Sequence, residues 1–209
     1  ASLSTALTIS EGGFIEETDT GVHLLTGELL TSPYSWSVVF LAIVSVLYIS
    51  SMFLTYYANR AGDQSALELV RKYALFWSSP TIIASLTTFI ALSQQNQDHY
   101  QRAIELWWVF GISVAFFMAA VFLVYQGKHY GWAFIAVMFQ FLVAFFGYGA
   151  SHLPYLLHPY VTLSSGVTNE TMAVALIVVF IAGLLLLLPS LILLMRMFLF
   201  DADYIKGKK

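Results

Sequence analysis

Cysteine is absent from this chain of 209 residues, and charge is scarce, with Asp, Glu, Lys and Arg together making up 10% of it. The first absence excludes disulfides, thiolate metal ligation and thiol nucleophiles. The second, set beside 59% hydrophobic residues and a mean hydropathy of +0.77, excludes a water-soluble globule, which would have to expose far too much apolar surface. Phosphate-cradling glycine loops, paired buried carboxylates and nucleophile triads are missing as well. A net charge of −3, with basic residues scattered rather than gathered in a stripe, speaks against nucleic acid as a partner.

What is present is a set of long apolar runs. They cover residues 34–59, 73–95, 106–126, 131–151 and 173–198, each near the ~20 residues needed to cross a hydrocarbon core of ~30 Å. Continuous runs of this length satisfy their backbone groups only as helices, so strand-type spans are excluded. The expected fold is all-α: a polytopic transmembrane helix bundle of about five spans over 34–198, preceded by an external segment over 1–33 and followed by a basic tail over 199–209. The opening ASLSTALTIS reads as the outer end of another helix. That implies a longer polypeptide, or a preceding piece outside this numbering.

Orientation follows from the basic residues. Arg60, Arg71 and Lys72 follow the first span, Lys128 follows the third, and Arg196, Lys206, Lys208 and Lys209 close the fifth, whereas the opposite connections hold only Arg102. The positive-inside bias then places the C-terminus in the cytoplasm, with the leader and the 96–105 and 152–172 loops outside. Trp36, Trp107, Trp108 and Tyr148 on the outer side, and Tyr57, Trp77 and Trp132 on the inner side, mark the interfaces where amphipathic rings collect.

Polar groups inside the spans are few. Ser78, Thr81, Ser85 and Thr88 recur at intervals of a helical turn and predict one face turned toward protein. Gly111, Ala115 and Ala119 form a small-residue seam suited to close helix packing, and Gln140 near mid-depth is expected to bond across to a neighbouring helix. Pro80 and Pro189 predict kinks. On the connection after the first span, Ser65 and Glu68 fit a capping box. Every Asp, Glu, Lys, Arg and His falls at or outside a span boundary. His152 and His158 bracket Pro154 with no third ligand in view, so they read, like His23 and His99, as surface-loop residues. No catalytic, cofactor-binding or metal-ligating residue is assigned, since haem would need an axial ligand at membrane depth and an ion pump a buried charge.

Particular residues resemble a known family. Gly27-Glu28-Leu29-Leu30 with Pro33 opening the first span, Gly131-Trp132-Ala133-Phe134 opening the fourth, Pro154-Tyr155-Leu156 after it, and Leu188-Pro189 before the basic tail look like the C-terminal part of subunit II of cytochrome bd-type quinol oxidase. Leu191 to Met195 and His158 depart from the pattern and suggest a divergent branch. The resemblance implies a complex of the bacterial cytoplasmic membrane that oxidises quinol and reduces dioxygen to water without pumping. It further implies that the b- and d-type haems and the quinol site belong to subunit I, which this chain would pack against without binding a cofactor itself. A small accessory membrane subunit and the lipid bilayer complete the expected partners. The competing reading is half of a secondary transporter, with a polar site around Gln140 and the Ser78, Thr81, Ser85 and Thr88 face.

Overall fold

A computed structural model describes residues 2–18, 21–165 and 170–198. The basic tail over 199–209 lies outside the described residues. The chain divides into two units, Ala1–Leu163 and Ser164–Lys209.

In the first unit a short helix α1 (Ser2–Ser10) leads into a β-hairpin of β1 (Ile15–Thr18) and β2 (Gly21–Leu24), with Ile15 opposite Leu24. Helix α2 (Thr26–Thr31) then precedes α3 (Pro33–Ala61), whose first position is a proline, the one place where its missing N–H is harmless. The chain turns at Gly62, held at φ 73°, a left-handed conformation that favours glycine, and re-enters helix as α4 (Gln64–Gln95). The cap of α4 is Asp63, whose carboxylate accepts from the Ala66 amide at 3.0 Å. The expected capping box on Ser65 therefore does not form: an Asp two residues upstream takes the role, and one continuous helix runs from the connection through the second span.

A further helix, α5 (Gln97–Glu105), occupies the connection read from sequence as a loop, with Asn96 as its N-cap. Then come α6 (Trp107–Gln126) and α7 (Tyr130–His152), and a second small hairpin of β3 (Tyr155–Leu157) and β4 (Val161–Thr162). The pairs α3/α4 and α6/α7 are antiparallel neighbours, as short connections dictate. Their shared core joins Tyr48 and Met52 of α3, Ala74 of α4, Phe117 and Ala120 of α6, and Ala133 and Val137 of α7. Small alanines on α4, α6 and α7 let the helices close around the Tyr48 ring, which lies 5.5 Å from that of Phe117. Arg71 ties the other end, donating from Nε to the Val124 carbonyl at 2.9 Å and from Nη2 to the Tyr125 carbonyl at 2.5 Å.

The second unit contains α8 (Glu170–Phe198), apolar on all sides, with none of residues 171–193 buried. Among the described residues five helices, α3, α4, α6, α7 and α8, are long and apolar enough to cross a membrane.

A buried carboxylate–histidine cluster as the candidate functional site

The residues singled out inside the spans do not assemble into one site. Ser78 donates to its own helix at the Leu75 carbonyl (2.7 Å) and Ser85 to that of Thr81 (2.9 Å). Thr81 alone crosses to a neighbour, reaching the Val44 carbonyl at 3.4 Å while bonding that of Trp77 at 2.8 Å. Ser85 is exposed and the Thr88 hydroxyl is buried without a partner. Gln140 is buried, but its amide oxygen finds no partner; the α6–α7 link at that level is Ser113 donating to the Gln140 backbone carbonyl at 3.0 Å. Gly111, Ala115 and Ala119 lie on the exposed face of α6, and the buried face is Ser113, Phe117, Ala120 and Val124.

The polar chemistry is concentrated elsewhere. After α1 the Gly12 amide bonds back to the Ile9 carbonyl at 3.1 Å and Gly12 takes φ 84°, so the chain reverses and drives Glu11 inward until it is 1% exposed. Gln95 and Asn96, at the junction of α4 and α5, receive this turn. Gln95 Nε2 donates to the Gly12 carbonyl at 2.8 Å, and Asn96 Nδ2 donates to the Glu11 carbonyl at 3.2 Å and to Glu11 Oε2 at 3.0 Å. With its other side-chain atom Asn96 accepts from the His99 amide at 3.0 Å, starting α5 and aiming His99 at the carboxylate.

His99 is fully buried, with Nδ1 lying 2.9 Å from each Glu11 oxygen and Nε2 2.8 Å from Ser151 Oγ. From α7, Tyr148 donates to Glu11 Oε1 at 2.5 Å, and His152 brings its Nδ1 to 3.5 Å from both that oxygen and His99 Nδ1. Arg102 Nε closes the frame on the Ser151 carbonyl at 2.8 Å. The rings of His99 and His152 meet edge to face, 5.0 Å between centroids.

A carboxylate taken out of water is strongly disfavoured unless it is paired and hydrogen-bonded. Burial pushes the Glu11 carboxyl up, but hydrogen bonding to His152 and His99, the His99 charge and the Tyr148 hydroxyl together outweigh it and hold the group at about 2. Glu11 is thus an ionised acceptor at neutral pH.

The surface-loop reading of His99 and His152 is corrected by this arrangement. The missing third group is Glu11, 88 positions before His99, and the partner of His152 is this cluster and not His158, which faces Asp98 at 3.7 Å. A local signal did exist, since Asn96 three residues before His99 is an N-cap pattern that predicts a helix in the connection. Nothing local pointed to Glu11.

Comparison with known proteins places this architecture. Residues 2–198 match the family described as cytochrome bd terminal oxidase subunit II. The chain belongs to this family. It is 29% identical over 217 residues to the putative cytochrome bd menaquinol oxidase subunit II of Bacillus subtilis (strain 168), a match covering 100% of the chain and 63% of that relative. A solved structure, that of the bd oxidase from Geobacillus thermodenitrificans, is similar at 56% identity with a TM-score of 0.79, over 96% of the chain and 61% of that one. The chain thus spans less than two thirds of the length of either relative. As a bd-family subunit II with five apolar helices, it is a multi-pass bacterial membrane protein.

Proposed function

We propose that this chain serves as the haem-free structural companion in a quinol:dioxygen oxidoreductase, packing on the haem-bearing subunit I. The carrying observation is membership of the subunit II family, joined to a surface that needs covering: Gly111, Ala115 and Ala119 form an exposed small-residue seam on α6, and apolar side chains such as Phe76, Phe122 and Phe146 point outward. Partner helices and lipid are the two environments that suit such a surface. In this reading the b- and d-type haems, quinol and dioxygen belong to the complex, a small accessory membrane subunit completes it, and the C-terminus is cytoplasmic. Glu11, His99 and His152 then sit at the outer end of the bundle.

The test is spectroscopic. The complex purified through this chain is expected to give b- and d-type bands in a reduced-minus-oxidised spectrum, and the chain expressed alone to give none. Haem absorption from the chain alone would falsify the reading. Replacing Gly111 by Leu is expected to lower the yield of co-purified haem, because among the described residues nothing beyond its own stretch of helix lies within 4 Å of a Cβ added there.

A further inference from the structure

We infer that Glu11, His99 and His152 form a binding site for a single divalent transition-metal ion of the zinc class. Three observations of geometry carry this independently of the oxidase reading: the spacing of the donor atoms, the convergence of His152 on the Glu11–His99 contact, and the support behind Glu11 and His99.

Glu11 Oε1, His99 Nδ1 and His152 Nδ1 form a triangle with sides of 2.9, 3.5 and 3.5 Å. Ligands held about 2.0–2.1 Å from a tetrahedral zinc ion are separated by roughly 3.3 Å. The triangle therefore matches one face of such a coordination shell. The 2.9 Å side has an ordinary hydrogen-bond length, but the two imidazole nitrogens 3.5 Å apart lie beyond the usual range for one.

The hydrogens around His99 can be assigned. Ser151 Oγ spends its one hydrogen on the Tyr148 carbonyl at 2.9 Å, so at the 2.8 Å contact with His99 it is Nε2 that donates. The other ring nitrogen, Nδ1, lies 2.9 Å from each oxygen of the Glu11 carboxylate and 3.5 Å from His152 Nδ1. A proton there serves His99 and Glu11; a metal ion also uses His152 Nδ1, which converges on the same point from α7 at 3.5 Å from both. A metal ion explains all three.

Two of the three ligands, His99 and Glu11, are held from behind as ligands are in metal centres, whereas Nε2 of His152 is buried without a partner. Ser151 fixes the His99 tautomer, Asn96 holds Glu11 Oε2 at 3.0 Å, and Tyr148 holds Oε1. Two imidazoles and one carboxylate favour zinc and its neighbours over magnesium or calcium, which prefer oxygen ligands. Three protein ligands leave the remaining position to water. With ligands from the α1–β1 turn, α5 and α7, the ion would fasten that turn to the bundle.

The experiment uses the full chain with its co-purifying subunits in detergent, stripped with chelator, dialysed against buffered zinc, and measured by elemental analysis and zinc K-edge X-ray absorption. Wild type is expected to hold one zinc more than His152→Ala, with scattering from two imidazoles. Ser151→Ala, which keeps every ligand, is expected to bind zinc about tenfold to a hundredfold more weakly. Equal zinc in wild type and His152→Ala, or an absorption spectrum without imidazole scattering, overturns the proposal. If His152→Ala fails to assemble, the wild-type absorption spectrum and the Ser151→Ala affinity decide alone.

Discussion

Gly12 and His158 touch backbone to backbone: a Cβ built on Gly12 would stand 2.3 Å from the His158 carbonyl oxygen, and the His158 amide donates to the Ser10 carbonyl at 2.9 Å. The loop after α7 is thereby pressed onto the turn that buries Glu11. Gly12→Ala meets both the clash and a left-handed φ of 84°, so it must displace the turn. The conformational term alone costs about 1–2 kcal/mol, and the expected outcome is a lower thermal midpoint in detergent.

Tyr148→Phe removes one hydrogen bond to the buried Glu11 carboxylate, and Glu11→Gln removes the charge itself. Each is expected to destabilise, the first by about 1.5–3 kcal/mol, as for hydrogen bonds to charged groups. Because the two residues share one contact, the double variant should lose less than the sum, which a double-mutant cycle on thermal midpoints measures. Strict additivity would mean that the Tyr148–Glu11 bond carries no stability.

At the opposite end of the bundle, Arg71 satisfies two carbonyls in the last turn of α6. Arg71→Ala leaves both without this donor and is expected to cost more than Arg71→Lys, which keeps the charge near the helix C-terminus but loses the planar fork. Hydrogen exchange at the amides of 124–128 checks it, with faster exchange expected in the alanine variant.

Asp63→Ala is expected to lower stability by about 0.5–2 kcal/mol, the usual range for loss of an N-cap. Ser65→Ala should change it little, since Asp63 and not Ser65 accepts from the first turn of α4. The reverse ranking in a thermal series would restore the capping box.

Much of the architecture could be read from residue order. Runs of apolar residues long enough to span a membrane form helices because no alternative satisfies their backbone in lipid, and that argument needs no knowledge of neighbours. The faces were harder. Gly111, Ala115 and Ala119 predict a packing seam wherever small residues align, yet within this chain α6 packs through Ser113, Phe117 and Ala120. Periodicity identifies a face and does not say what covers it.

The sequence by itself determined that this protein lives in a membrane, how many of these stretches can cross one, and that these 209 residues carry no thiol, because composition and run length act locally and additively. Only the tertiary structure decided that a glutamate from a leader segment and two histidines from connections read as surface would share one buried point. Glu11 and His99 lie 88 positions apart and meet at 2.9 Å because a glycine turn, an asparagine cap and the end of α7 converge there. Such convergence comes from packing, and no window of sequence contains it.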